Sequence, residues 1–389
     1  MSLMRKRKPK IYLHGWYGHN NSGDDALLSV ISKTIAEKIP YSEIVVQIPA
    51  DGESPPLPKS VKITHLHHWF KGHVILQKLL AILTSDVLVF GGGSIMTDVN
   101  KQRIRGLHSL HRICSVAKIK DVPIIFTGLG IGPFVTQKGR ELAKSILSMA
   151  EIVELRDSIS YKLCEEFGLS RIVQGFDPAV LLDVELPINT KTWNNKIPII
   201  GMSLSKSSGT ILTGQEKQLL KIEQLVAGIK KVTHSQKICV AGIEMCRNAC
   251  NRDAELNHEL AKQLENVCEF TIIPYQPDPI AMLNRLSVLD GIIAERLHAA
   301  IYAYILNIPF AVIPYHDKCK AFVHDVGLPQ NCLLDTDILS DQVEEVILSQ
   351  IKKEKKNLPT FTIEEARSRA HLGQQKVIEK LKHLLEIDG

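Results

Sequence analysis

Short apolar runs alternate with stretches of helical periodicity along most of this chain, a rhythm that predicts an α/β fold with parallel sheets covered on both faces. Residues 10–13, 44–48, 86–90, 122–127, 152–155 and 172–173 read as strands. Helical patterns occupy 26–38, 140–149 and 158–167, and Gly168 closes the last in the C-cap position. The rhythm breaks over 183–198, where Pro187, Asn189, Asn194, Asn195 and Pro198 cluster, and then resumes. Strands are predicted at 199–204, 238–242, 271–273, 288–294 and 310–314, with helices at 216–232, 254–264 and 279–286. Two domains follow, 1–185 and 186–340. A helical tail over 341–389 is divided by Pro359, restarts at a capping box from Thr362 to Glu365, and carries one apolar face (Ala366, Ala370, Val377, Leu381, Leu384, Leu385). That face must pack, which predicts a tail returning across the domain junction.

Chemistry concentrates where strands end. After the apolar run 288–294 come Glu295, Arg296 and His298, and an apolar pattern of helical length begins at once. In a parallel sheet this junction faces the ligand crevice, and the helix behind it offers unpaired N–H groups and a partial positive charge to an anion. Arginine grips a carboxylate or phosphate through paired hydrogen bonds; histidine supplies a proton near neutral pH. The junction reads as an anion site with an acid in it, against the plainer reading of His298 as a packed core residue.

Two glycine-rich strand ends lie in the first half. Residues 15–25 form a strand–turn–helix unit in which Asn21, Ser22 or Asp24 can cap the helix, but G-x-G-x-x-G and the P-loop lysine are both missing. Gly91, Gly92 and Gly93 are costly in conformational entropy unless something must approach the backbone there. The polar segment 100–111, with Lys101, Arg103, Arg105, His108 and His111, is either a solvated helix face or the lip of an acceptor groove.

Composition narrows the classes. A chain of 389 residues exceeds the usual single domain. The net charge of +5 owes much to Arg5, Lys6, Arg7, Lys8 and Lys10, and aromatics at 5% leave no stacking platforms, so nucleic acid is not expected as a partner. The basic start is a solvated tail or a peripheral electrostatic contact with an anionic membrane surface. No signal peptide is expected behind it, and Asn307 and Pro309 split the long uncharged stretch 299–315, which is therefore not a span. The expected location is cytoplasmic, at most peripheral at the inner face of the membrane. Cys114, Cys164, Cys239, Cys246, Cys250, Cys268, Cys319 and Cys332 show no paired framework and read as free thiols; Cys246 and Cys250 alone do not complete a zinc site, and no metal is expected.

Taken together, Gly15-x-Tyr17-Gly18 with Asn21-x-Gly23-Asp24, Gly91–Gly93 with Asp98, Gly130-Ile-Gly132-Pro133, Arg156-Asp157, Asp177-Pro178, Arg296-Leu-His298, and Tyr315 with Lys318 before Phe322 and Gly327-Leu-Pro329 resemble the polysaccharide pyruvyl transferase family over residues 11 to 329. The resemblance implies a GT-B-like fold, two Rossmann-like domains facing across a cleft. It implies transfer of pyruvate from phosphoenolpyruvate, a donor substrate rather than a cofactor, to a sugar of a cell-surface glycan or its lipid-linked precursor, forming a ketal. On that reading Arg296 and His298 are catalytic and bind the donor, with Ser205, Lys206 and Lys318 beside them. Asn21, Asp24, Gly92, Gly93 and Asp98 then fall on the acceptor side, in the first domain. Lys206 stands where members often carry arginine, and Glu295 where an apolar residue is usual; Glu295 either pairs with Arg296 or opposes an anion. Two other functions fit the architecture: a glycosyltransferase using a nucleotide sugar, with Glu295 the nearest carboxylate for a ribose, and a non-catalytic glycan or anion binder.

Overall fold

The computed structural model describes residues 7–69, 72–184, 197–205, 215–248, 251–314, 316–335 and 337–387. The chain forms two compact units, one of Met1–His19, Asp24–Leu181 and Arg367–Gly389, the other of Asn20–Gly23 and Leu182–Ala366.

The first unit is built on a parallel sheet of seven strands, β1 (Lys10–His14), β2 (Glu43–Pro49), β3 (Val61–Leu66), β4 (Val87–Met96), β5 (Ile124–Ile131), β6 (Ile152–Leu155) and β7 (Ile172–Gln174). Their order is β3-β2-β1-β4-β5-β6-β7, so the winding reverses between β1 and β4, where ligand crevices form in such sheets. Its helices are α1 (Ser22–Lys38), whose first two residues count with the second unit, α2 (His73–Leu83), α3 (Lys101–Ile119), α4 (Gln137–Ser148) and α5 (Ser158–Glu166).

Successive strand residues point to opposite faces, and both faces are apolar because both are covered. Tyr12, Leu88, Phe90, Ile124 and Phe126 share one core with Ile82, Leu107 and Ile146. Ile11, Leu13, Val87, Val89 and Ile125 share the other with Leu27, Ile31, Val377 and Leu381. β3 and most of α2 escape sequence reading. β3 is a six-residue edge strand with one buried position, and α2 is apolar around most of its circumference.

The second unit repeats the plan with five parallel strands, β8 (Ile199–Ser203), β9 (Cys239–Ile243), β12 (Glu269–Ile273), β13 (Gly291–Ala294) and β14 (Phe310–Val312), ordered β12-β9-β8-β13-β14. A two-stranded hairpin, β10 (Arg247–Asn248) with β11 (Asn251–Arg252), follows β9. The helices are α6 (Gln215–Ser235), α7 (Asp253–Leu264), α8 (Pro279–Leu286), α9 (Leu297–Ile305), α10 (Asp317–Asp325) and α11 (Ser340–Ile351). Here the winding reverses between β8 and β13.

The tail divides. α11 stays in the second unit against α6, so closely that a Cβ on Gly228 would lie 2.5 Å from Val343 Cβ. The last helix, α12 (Ile363–Leu384), belongs to the first unit from Arg367 onward, where Arg367 Nε donates to the Val180 carbonyl at 3.0 Å and Thr34 donates to Gln374 at 2.8 Å. Among the described residues no helix is long and apolar enough to cross a membrane.

Where α12 meets the sheet, a carboxylate is enclosed. Glu154 Oε2 accepts from the Thr127 hydroxyl at 2.6 Å and the Gly128 N–H at 2.7 Å, while a Cβ on Gly175 or Gly373 would fall 2.0 or 2.7 Å from Oε1. Burial pushes the Glu154 carboxyl up to about 7, against the pull of its two donors and with help from Asp177. The folded value lies above the ordinary 4.5, so the protonated form favours folding. Stability from this group is complete below the ordinary value and is lost as pH climbs to about 7, by up to about 3 kcal/mol. Urea unfolding at about pH 5 and about pH 8 should therefore show wild type losing stability relative to Glu154→Gln. A difference between the two proteins that does not change with pH would mean the carboxyl is charged throughout.

Candidate functional site

At the reversal of the second sheet, β8 ends in Ser203-Leu204-Ser205 and β13 runs into Glu295-Arg296-Leu297-His298. Glu295 ties the two ends together. Its N–H donates to the Ser203 carbonyl at 2.7 Å, and its carboxylate accepts from the Ser205 N–H at 2.7 Å and from the Lys221 ammonium at 2.8 and 2.7 Å. Both side chains are nearly out of water, which makes the pair a fixed brace. Of the two expected alternatives for Glu295, pairing with Arg296 or opposing an anion, the pairing does not form. Glu295 pairs with Lys221, and Arg296 pairs through Nη2 with Asp253.

Asp253 opens α7 and is buried, with its second oxygen accepting from the Met245 and Cys246 N–H groups, each at 3.1 Å. Burial holds its carboxyl above the usual range, while the Arg296 guanidinium beside it pulls the other way. Arg296 is itself the N-cap of α9, with extended backbone and its carbonyl accepting from Ala299 at 3.0 Å. The guanidinium is thus positioned at a helix N-terminus by a carboxylate that contributes two backbone contacts of its own.

The same loop receives Asn20–Gly23. Ser22 N–H donates to the Met245 carbonyl, Arg247 N–H donates to the Asn20 carbonyl, both at 2.9 Å, and Asn21 bridges Cys246 in antiparallel sense. The Tyr302 hydroxyl donates to the Ser22 carbonyl at 2.9 Å and lies 3.0 Å from the Ser22 hydroxyl. His298 is one helical turn before Tyr302, and its imidazole lies so close that a Cβ on Gly23 would be 2.0 Å from Nδ1. Glycine at this point of the Asn21-x-Gly23 motif is thereby explained: the space belongs to His298.

The structure therefore gathers Arg296, His298, Ser205 and Asn21 in one unit. Asn21 was expected on the acceptor side in the first domain; its bridge to Cys246 places it with the second unit instead. Lys318 is the second residue of α10, whose N-cap His316 accepts from the Lys318 N–H, and the neighbouring Cys319 thiol approaches the Glu295 carbonyl at 4.0 Å. Lys206 and Tyr315 lie outside the described residues, as does Cys250. Among the described residues no group of three or more His, Cys, Asp or Glu side chains is arranged to hold a metal ion.

The remaining candidates belong to the first unit, near the reversal between β1 and β4. The Tyr17 hydroxyl donates to the Gly91 carbonyl and fills the space a Gly91 Cβ would need, while Asp24 Oδ1 lies 3.6 Å from where a Gly93 Cβ would be. Gly92 and Gly93 adopt φ of +73° and +84°, which side chains other than glycine resist. Asp98 is a different case. Its buried carboxylate accepts from the Val135 N–H at 2.5 Å and from the Thr136 N–H and hydroxyl at 2.9 and 2.5 Å, which fixes the start of α4. Arg156 is likewise spent inside, on a buried ion pair with Asp177 at 2.7 Å and on Ser94 at 2.9 Å.

Sequence reasoning missed Asp253, Lys221 and Tyr302. Tyr302 carried a signal, since it follows His298 by one helical turn; the other two did not, because an acid in a first turn and a lysine on a long helix are ordinary.

Comparison with known proteins follows the same lines. A family model for polysaccharide pyruvyl transferase matches residues 21–317. The amylovoran biosynthesis protein AmsJ of Erwinia amylovora is 20% identical over 260 residues, 63% of this chain and 60% of that protein, so the chain spans about three-fifths of the relative's length. Among solved structures, the UDP-GlcNAc 2-epimerase of Methanocaldococcus jannaschii is 14% identical with a TM-score of 0.58, covering 95% of this chain and 99% of that one. An α,α-trehalose-phosphate synthase (UDP-forming) from Burkholderia vietnamiensis is 8% identical with a TM-score of 0.54, covering 98% of each. At such identities these structures establish the fold alone: two parallel α/β units of the GT-B kind.

The Glu295 brace makes a prediction of its own. Lys221→Met leaves a buried carboxylate without its cation and should cost about 3–5 kcal/mol in unfolding free energy. Adding Glu295→Gln removes the stranded charge and should recover at least half of that loss. Equal or additive losses in the double variant would show that the two residues do not act as a pair.

Proposed function

The chain belongs to the polysaccharide pyruvyl transferase family, and from that premise we propose that it transfers the pyruvyl group of phosphoenolpyruvate to a sugar of a glycan or of its lipid-linked precursor. The product is a cyclic ketal. The observation that carries this reading is the N-terminus of α9, where Arg296, braced by Asp253, and His298, packed on Gly23, stand together at the winding reversal of the second sheet.

Phosphoenolpyruvate presents a carboxylate and a phosphate close together, and a helix N-terminus with a fixed guanidinium suits such a compact anion. In the reaction a proton adds to the methylene carbon, leaving an oxocarbenium-like centre at C2. A sugar hydroxyl attacks C2 and loses its proton, the C2–O bond to phosphate breaks, and a second hydroxyl closes the ketal as its proton is released. Arg296 orients the donor by its carboxylate or phosphate. His298 delivers the proton or stabilises the departing phosphate. Ser205, Lys318 and Lys206 complete the donor side, and Asp24, Gly92 and Gly93 serve the acceptor; Asn21 is reassigned to the donor side and Asp98 to the scaffold. A cytoplasmic site of action follows from where phosphoenolpyruvate is made.

A glycosyltransferase would need a carboxylate for the ribose of its nucleotide. Glu295, the nearest candidate, is already engaged by the Ser205 N–H and the Lys221 ammonium, which favours the pyruvyl reading.

Phosphoenolpyruvate turnover against a panel of glycosyl acceptors, with the pyruvylated product identified by mass, tests the activity. Nucleotide diphosphate release instead of phosphate, or binding without product, would replace the reading. In an active preparation His298→Ala should lower turnover by about 10²- to 10⁴-fold while the melting temperature stays nearly unchanged. Near-normal activity in that variant removes His298 from the chemistry. Gly23→Ala should act through the same residue by displacing the imidazole, with turnover falling about 10²-fold and a stability loss of about 1–3 kcal/mol from overpacking. Full activity in Gly23→Ala would mean the observed His298 position is not the working one.

A further inference from the structure

Helix α2 carries its apolar residues on the wrong side for a helix facing water. Ala81 and Ile82 are buried in the core of the first unit, yet Ile75, Leu76, Leu80 and Leu83 are exposed at 55%, 46%, 51% and 46%. At about 100° per residue these four fall within a single arc of about 140° that contains no charged side chain, while Leu79, on the same arc, is half-buried against the core. The helix's lysine, Lys78, lies on the other side, and burial pushes its ammonium below the ordinary range. Charge is inside and hydrocarbon outside.

The two ends of α2 add to the pattern. Ahead of it Trp69 is 77% exposed and stacks between His67 and His73, with ring centroids 5.6 and 4.8 Å away. At its other end the C-cap Thr84 accepts from the Lys10 ammonium at 3.1 Å, and Asp86 pairs with Arg7 at 2.5 Å. β1, which Arg7 and Lys8 precede, therefore begins beside the apolar face, and the sequence ahead of it adds Arg5 and Lys6.

We propose that the outer face of α2, with Trp69, docks on an anionic lipid bilayer. Leucine and isoleucine enter the boundary between headgroups and acyl chains, Trp69 sits at headgroup level, and the basic run meets anionic headgroups. The basic side chains of Arg7 and Lys10 beside the end of α2 give the apolar face an electrostatic match to anionic headgroups, which favours a bilayer as the occupant. The inference goes beyond the transferase reading and rests on it only in this: a lipid-linked acceptor would be met at the same surface.

Flotation of the full chain with phosphatidylcholine vesicles, with and without phosphatidylglycerol, tests the surface. Wild type should float with the anionic vesicles and less with the neutral ones. Leu76→Glu/Leu80→Glu should cut the bound fraction about 10-fold while keeping the thermal melt and any turnover on a soluble acceptor. Wild type that stays unbound, or a double variant that floats like wild type, overturns the proposal. So does a wild-type dimer in ultracentrifugation that the double variant abolishes without any vesicle binding, which would give the face to a second copy. Flotation in a protein that never turns over phosphoenolpyruvate leaves this surface standing and sinks the transferase reading alone.

Discussion

Burying a carboxylate costs several kcal/mol unless a cation and hydrogen-bond donors meet it, and the second unit is organised around two that are met. Glu295 holds the ends of β8 and β13 at a fixed separation through Ser205 and Lys221. Asp253 holds Arg296 at the head of α9 and, with its other oxygen, the loop at Met245 and Cys246. That loop in turn receives Asn20–Gly23, and Gly23 fixes the place of His298. From two neutralised acids the position of every side chain at the α9 N-terminus follows. None of the four charged residues is available to wander, because each is the reason another can be buried.

The same logic sets what the site can discriminate. The Arg296–Asp253 and Glu295–Lys221 pairs each set a cation against a carboxylate, so these four charges are matched rather than of one sign. The N–H groups and partial positive charge at the head of α9 favour an anion, which suits the small, highly charged donor proposed above better than a weakly charged one.

Much of this architecture was legible because strands buried on both faces read as plain apolar runs, and because a polar trio after such a run marks the strand-to-helix junction. Arg296 and His298 were placed at such a junction, and β13 does run into α9 there. Asn21 was misplaced for an equally physical reason. A four-residue segment beside a glycine-rich turn carries no information about which distant loop it pairs with, and its partner Cys246 lies more than 200 residues away. Asp98 looked like a strand-end acid of the functional kind, but the residues that claim it, Val135 and Thr136, follow a different strand. β3 escaped because a six-residue edge strand with one buried position carries little apolar signal, and most of α2 because a helix apolar around most of its circumference has a weak period.

That last failure is informative in itself. Sequence rules assume that water surrounds the fold, so they expect each helix to be polar outside. Where a helix breaks the rule while its neighbours α3 and α4 keep it, the proposed bilayer contact accounts for the difference. In α2 the departure is specific: four exposed apolar side chains share one arc, an aromatic residue marks one end, and Lys10 and Arg7 reach the other. Scattered exposed leucines need no explanation in a globular protein, whereas an uncharged arc with ordered flanks does. The proposed bilayer contact thus accounts for the apolar side of α2, whose lysine, Lys78, is half-buried on the opposite side.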